Sequence, residues 1–220
     1  MTASGQPADL WDERYADPRH LYGERPNDFL VEAEVMIPRR SRTEGGRVLV
    51  LADGEGRNGV WLARQGHQVT SVDFSSVGVA KALRLAEAKG VDLDAHVADI
   101  ADFLHADEAL GPWDGVVLIF VHLPQELRRR MAEVLTPRLS ERGVVIIEGY
   151  TPAQLSLGTG GPRDEALLYT RERVVADWPD LQLDVRVTER RIFEGPGHQG
   201  LSAVVQVLGH RKHRTGGARG

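Results

Sequence analysis

Three glycines with acids set among them form the densest chemistry in the sequence. Ala52-Asp-Gly-Glu-Gly-Arg-Asn-Gly59 places Gly54, Gly56 and Gly59 in the spacing G-x-G-x-x-G, with Asp53, Glu55 and Asn58 between them. Glycine turns sharply at little steric cost and lets a ligand approach the backbone without a Cβ in the way. Asp73 follows roughly 20 residues on, the separation at which an acid meets the ribose of a bound nucleotide. Together they point to an adenosine-type ligand; the rival reading is an ordinary tight turn between a strand and a helix.

Charge separates two ligands that fit such a turn. A pyrophosphate seated on a helix N-terminus is repelled by neighbouring carboxylates, whereas S-adenosylmethionine (SAM) brings a sulfonium and an ammonium cation. Asp53 and Glu55 therefore favour SAM over NAD. An NAD-dependent oxidoreductase stays open as an alternative on the glycine spacing alone. So does a SAM-binding protein without turnover, because no catalytic base is obvious.

The elements that must position these groups are short apolar runs between helical stretches. Val48 to Ala52, Gln68 to Val72, Asp94 to Ala98, Gly115 to Val121 and Gly143 to Glu148 read as strands. Helices are predicted from Gly59 to Gln65, from Val77 to Lys89 with Ser75 as cap, and from Pro124 to about Leu139. That alternation predicts a Rossmann-like α/β fold: an open, mostly parallel sheet with helices on both faces. Leu181 to Phe193 and Leu201 to Gly209 are joined only by Glu194 to Gly200, too short for a crossover helix, so the last pair is predicted to be antiparallel. Residues 1–45 form an aromatic-dotted lead-in that covers the cofactor, 46–210 form the SAM-binding domain, and 211–220 form a basic, glycine-rich tail predicted to be disordered.

Composition narrows the classes further. The 220 residues are 41% hydrophobic and 27% charged, with a net charge of -5, which argues against a general nucleic-acid binder. There is no cysteine, so disulfides, thiolate metal sites and a cysteine nucleophile are excluded, and no metal is expected. No signal-peptide pattern opens the chain and no apolar run approaches the ~20 residues of a membrane span. A cytoplasmic protein, monomeric or homodimeric, acting on a small molecule away from nucleic acid and membrane, is the expectation.

Leu51 to Ala63, followed by Val69-Thr-Ser-Val-Asp-Phe-Ser75, resembles the class I SAM-dependent methyltransferases, and within them the compact tellurite-resistance and thiopurine S-methyltransferase-like branch. The resemblance implies a seven-stranded sheet, transfer of the SAM methyl group to a small acceptor such as a thiol or a chalcogen oxyanion, and release of S-adenosylhomocysteine. It implies that the backbone of Asp53, Gly54 and Gly56 faces the methionine part of SAM, with Glu55, Asn58 and Ser75 in the same site. Asp73 would take the ribose hydroxyls, Phe74 would flank the adenine, Asp99 and Ile100 would read its edge, and Phe120 and Val121 would lie beside the sulfonium. One departure stands out: Val50 occupies the strand position where many members carry an acid, leaving Asp53 to supply that carboxylate. Phe120-Val-His-Leu-Pro124 also lacks the Asn/Asp-Pro-Pro-aromatic run of nucleic-acid aminomethylases.

Methyl transfer needs alignment and exclusion of water more than a catalytic constellation. His122 is the catalytic candidate, as a base or an orienting group; a loop histidine capping the next helix is its plain reading. Trp11, Tyr15 and Tyr22 either cover the cofactor, where an aromatic face suits a sulfonium, or staple the N-terminal segment to the domain, with Tyr22 favouring the first. Tyr15, Asn27, Tyr150 and His198 are candidates for the acceptor side, as is Glu148. Residues 151–164 are either a lid or a surface connection. Trp61 and Trp113 read as structural, and Arg128-Arg-Arg130 as a solvated face.

Overall fold

The computed structural model describes residues 8–212. Seven strands form one sheet: β1 (Arg47–Leu51), β2 (Gln68–Asp73), β3 (Asp94–Val97), β4 (Trp113–Ile119), β5 (Leu139–Tyr150), β6 (Leu181–Glu194) and β7 (His198–Arg211). Their order is β3-β2-β1-β4-β5-β7-β6, parallel except for β7, which runs antiparallel to both β5 and β6. The chain builds outward from β1 to β3 and then returns to lay β4 beside β1. Strand order reverses there, and the crevice above the carboxyl ends of β1 and β4 is the place where such sheets bind ligands.

Both faces of the sheet are covered, as continuous apolar strands require. In β1 the side chains alternate. Val48 and Val50 join Leu30 and Leu62 on one face, beneath α2 (Asp28–Ala33) and α3 (Arg57–Arg64), and α4 (Ser76–Lys89) packs on α3. Leu49 and Leu51 join Ile100, Met131 and Val174 on the other, beneath α5 (Ile100–Phe103), α6 (Gln125–Leu135) and α7 (Arg171–Asp177). Val50, at the strand position where the resemblance implies an acid, is a core side chain 1% exposed. The lead-in contributes α1 (Ala8–Tyr15), which packs on α4.

Several boundaries differ from the sequence reading, each for a local reason. α6 stops at Leu135 because Pro137 cannot continue it, and β5 starts at Leu139 after one 3₁₀ turn, four residues before the predicted strand. The hairpin pairs Glu194 with His198, so its loop shrinks to Gly195-Pro-Gly197, with Gly195 at φ 66°. His198 is thereby the first residue of β7 rather than a loop residue. Arg211 pairs with Leu181 as the end of β7, so the tail begins later than predicted; 213–220 lie outside the described residues. Arg128 corrects the reading of its basic run. It is 1% exposed and donates from Nε to Asp177 on α7 at 2.7 Å, while Arg129 and Arg130 are solvated.

Candidate active site

A cavity of about 410 Å³ opens at the β1/β4 switch point, between the glycine turn, the lead-in and the final hairpin. Of the predicted site residues, Trp11, Tyr15, Tyr22, Asp53, Gly54, Glu55, Asn58, Asp73, Phe74, Asp99, Ile100, Phe120, Val121, His122, Tyr150 and His198 line it. Gly56, Ser75 and Asn27 do not.

The glycine turn shows why small residues are needed there. Gly54 (φ 58°) lies so close to Tyr15 that a Cβ would stand 2.6 Å from the tyrosine hydroxyl, and Gly56 (φ 85°) starts α3 where a Cβ would meet Ala82 at 2.5 Å. Gly56 thus packs the turn onto α4 instead of facing the cavity. Ser75 is likewise structural: its hydroxyl accepts from the Gly78 amide as the N-cap of α4 and donates to Asp12 of α1.

The acids of the turn are occupied by the protein itself. Asp53 accepts from the Gly59 amide at 3.2 Å and from the Ser71 hydroxyl at 2.9 Å, so its carboxylate is turned into the start of α3. Burial raises its pKa to about 7, against the opposing Ser71 and Gly59 hydrogen bonds. Glu55 is paired at 2.5 Å with the buried Lys81 and also accepts from the Leu21 amide at 2.8 Å. Lys81 adds bonds to the carbonyls of Tyr15, Asp17 and Arg19, tying the lead-in to the glycine turn. The charge argument that separated SAM from NAD therefore loses its basis, since neither carboxylate is a free anion beside the ligand.

Asp73 ends β2 on the cavity wall. Its Oδ2 accepts from the Gly54 amide at 2.8 Å and its Oδ1 from the Ser75 amide at 2.9 Å. Each oxygen retains a lone pair suited to a hydroxyl donor, as two ribose hydroxyls would offer. Burial raises this carboxyl to about 6, against the two amide hydrogen bonds. Asp99 caps α5 through the Ala101 amide, and both Asp99 and Ile100 line the cavity. A carboxylate with acceptor capacity, a tight turn carrying Gly54 and an adjacent apolar wall fit the adenosine and methionine parts of SAM.

The opposite end of the cavity is aromatic. Phe120 leaves β4 at φ 56°, a left-handed conformation rarely held by an aromatic residue and one found at ligand sites. Its ring stacks on Tyr150 at 4.6 Å and meets the edge of His198 at 4.7 Å, and Tyr22 lies 4.3 Å from His198. Trp11 stands 5.4 Å from Tyr15 and 6.4 Å from Tyr22. Gly160 and Gly161 cover this end so closely that a Cβ on either would press on Tyr150. Their segment is pinned to β7, because Thr159 donates to the Leu201 carbonyl and Gln154 bonds Thr159, Gly160 and the Ala203 amide.

His122 lacks the geometry of a base. Its Nδ1 faces the Leu167 carbonyl at 3.1 Å and its Nε2 takes the Tyr150 amide at 3.4 Å, so both nitrogens are engaged. Burial lowers its pKa to about 4, which keeps it neutral. It ties the end of β5 to the 165–167 turn, a structural role that is neither an orienting group at the methyl donor nor a cap of the next helix. Trp61 is only partly buried, while Trp113 is fully buried with its indole N–H on the Ala109 carbonyl.

Asn27 is also a correction. It is 0% exposed, caps α2 and donates to Glu148 at 2.6 Å and to Glu194 at 2.9 Å. Glu148, 0% exposed, takes two bonds from Arg190 and one from Gln206 instead of facing an acceptor. Glu194 pairs with Arg57 at 2.7 Å and with Arg190 at 3.2 Å. Arg57, Arg190 and Glu194 carry no local signal in the sequence, because Arg57 lies more than 130 residues from Arg190 and Glu194 on β6.

Comparison with known proteins agrees with this geometry. A methyltransferase-domain family model matches residues 48–141. A thiopurine S-methyltransferase of Bordetella petrii is 32% identical over 177 residues, which cover 72% of this chain and 78% of that protein. A structure from work on the conversion of a disulfide bond into a thioacetal group during echinomycin biosynthesis superposes with a TM-score of 0.73 at 16% identity, covering 94% of this chain and 93% of that one. TehB from Haemophilus influenzae gives 0.62 at 17% identity, with 93% and 67% covered. Magnesium protoporphyrin IX methyltransferase from Synechocystis PCC 6803 with bound SAM gives 0.61 at 15% identity, with 94% and 99% covered. SAM is the cofactor, the NAD and non-catalytic alternatives fall, and the chain belongs to the class I SAM-dependent methyltransferases.

Proposed function

We propose that the acceptor is a small, uncharged molecule carrying a proton-bearing soft nucleophile, a thiol in the first instance, bound among Tyr22, Phe120, Tyr150 and His198. The observation that carries this reading is the compensated charge of that end. Arg57 lines the cavity but is paired with Glu194, and Arg190 is paired with Glu148 and Glu194. An oxyanion would meet cations already held by carboxylates, whereas four rings suit a neutral, polarisable molecule. The Bordetella relative is a thiopurine S-methyltransferase, which supports the thiol over the oxyanion.

SAM supplies an electrophilic methyl group; the chain's residues hold and align. Asp73 takes the ribose hydroxyls, the Gly54 turn and Tyr15 bound the methionine part, and Phe120 in its left-handed conformation sets the wall between cofactor and acceptor. The 157–162 segment and the lead-in exclude water, which would compete as a nucleophile. Among the described residues no helix is long and apolar enough to cross a membrane, and no cluster of acids and histidines could hold a metal ion.

Incubation with SAM and separate acceptors tests the reading. An aromatic thiol, tellurite and a halide are offered in turn, and S-adenosylhomocysteine is measured. Product with the thiol supports it. Product with tellurite or halide alone overturns it.

A further inference from the structure

Two histidines reach the acceptor end, and their surroundings differ. His122 spends both nitrogens on the backbone. His198 is buried against three rings, with its Nδ1 making no hydrogen bond but standing 3.8 Å from Glu194 Oε2. A neutral ring that turns Nδ1–H toward this carboxylate keeps its basic lone pair on Nε2.

We propose that His198 is the general base of the transfer, receiving the acceptor's proton at Nε2, and that Glu194 is its positioning residue. The inference rests on the acceptor reading above, because only a nucleophile that still carries its proton needs a base.

Glu194 is built for that task. Arg57, Arg190 and Asn27 fix its carboxylate from α3, β6 itself and the start of α2. Burial alone would raise Glu194, but the His198 contact and the charges of Arg57 and Arg190 outweigh it and hold the carboxyl down at about 2. It is therefore ionised wherever the protein is folded near neutrality. The groups facing His198 are Glu194 of β6, Glu148 and the Tyr150 phenol of β5, Arg57 of α3, the Tyr22 phenol of the lead-in and His122. Burial lowers the His198 pKa, helped by Arg57 and opposed by Glu194 and Glu148, so the ring is an unprotonated base at neutral pH. A 3.8 Å contact tightens readily once a substrate closes the site. The arrangement is a base with an acid behind it, the logic by which an imidazolium is stabilised as it forms.

A free thiol has a pKa near 8.5, so only a few per cent is thiolate at neutral pH. In the step, the S–H proton passes to His198 Nε2 and the sulfur lone pair bonds to the methyl carbon. The carbon–sulfonium bond breaks with its electron pair returning to the cofactor sulfur. The products are a methyl thioether, neutral S-adenosylhomocysteine and an imidazolium that returns its proton to water.

His198→Gln tests this with two thiols and one spectrum. One thiol is an alkyl thiol, protonated at the assay pH; the other is a fluorinated thiophenol, already ionised. The expected result is a fall in kcat of about 100-fold or more with the alkyl thiol, less than about 10-fold with the ionised thiol, and little change in KM or in S-adenosylhomocysteine affinity by calorimetry. Equal losses with both thiols overturn the inference and leave the acceptor reading standing. Wild-type protein that methylates neither thiol overturns the acceptor reading itself. Independently of turnover, ¹⁵N NMR of the wild-type S-adenosylhomocysteine complex at pH 7.5 should show His198 protonated at Nδ1 and bare at Nε2. The reverse tautomer overturns the inference.

Discussion

The two ends of the cavity are built differently. The cofactor end comes from the carboxyl ends of successive strands and the helix starts that follow them: 52–59 after β1, 73–75 at the end of β2 and 99–100 after β3. The acceptor end draws Tyr22, Phe120, Tyr150, Gly160 and His198 from five separate stretches, and behind it Asn27 reaches 121 residues to Glu148 and 167 to Glu194. The first end is built on local turns to which Lys81 and Asp12 tie the lead-in, and the second rests on long-range polar pairing throughout. The two should therefore fail differently when broken.

The sharpest break is Gly54→Val at the cofactor end. The added Cβ meets the Tyr15 hydroxyl at 2.6 Å and a β-branched residue is forced to φ 58°, so the turn or α1 must move. A displacement of about 1 Å costs on the order of 100-fold in turnover, and SAM affinity should fall with it while the sheet stays folded. Calorimetry with SAM and far-ultraviolet circular dichroism read the two separately. Unchanged SAM binding would show that Tyr15 and the turn do not jointly shape the site.

The acceptor end should break by unfolding. Glu148→Ala leaves Arg190 and the Asn27 and Gln206 amides without their shared partner at a site 0% exposed. Removing one member of a buried pair costs about 3–5 kcal/mol, which for a chain of this size lowers Tm by about 10 °C. Arg129→Ala, at a half-exposed arginine, is the control and should move stability by less than about 0.5 kcal/mol. A Tm loss at Glu148 no larger than that would mean the network adds nothing to the fold.

Next in size is Asp73→Asn, which keeps one acceptor oxygen and removes the charge. Hydrogen bonds to a charged group contribute about 1.5–3 kcal/mol, so SAM affinity should fall roughly 10- to 100-fold with little loss of acceptor affinity. An equal loss on both ligands would blur the distinction between the two ends.

That distinction also governs what the sequence discloses. The glycine spacing, Asp73, the five alternating strands and the antiparallel last pair are local or periodic signals, and each survives in the structure. The network of Asn27, Arg57, Glu148, Arg190 and Glu194 is not periodic, and its members look like ordinary surface charges until β5, β6 and α3 converge. Arg128 was hidden for the same reason: its partner Asp177 lies on α7, a helix the apolar pattern does not announce. His122 follows the most apolar strand and is conspicuous, whereas His198 sits at a glycine-rich hairpin whose loop the sequence makes four residues too long.

Asp53 joins the two kinds of signal, and its test is the finest. Sequence alone offers it as a carboxylate for the ammonium of SAM; the structure turns it into α3 against Gly59 and Ser71. Its folded pKa of about 7 lies above the 3.8 of an unperturbed aspartate, so between those values the folded state binds more protons than the unfolded one. Stability then falls as pH rises through that window, and Asp53 contributes a declining slope up to about pH 7. In Asp53→Asn, Oδ1 still accepts the Gly59 amide and Nδ2 can donate to Ser71, but the titration is gone. Melting curves of the ligand-free protein from pH 6 to 8 should fall less steeply in the variant, by about 1 kcal/mol or some 2–4 °C across the range. Asp73, raised to about 6, and His122, lowered to about 4, add slopes of opposite sign that are common to both proteins and drop out of the comparison. SAM affinity should stay within a factor of about 3 of wild type. A larger loss of affinity, with no change in the pH slope, would return Asp53 to the ligand and make the cofactor end depend on charge after all.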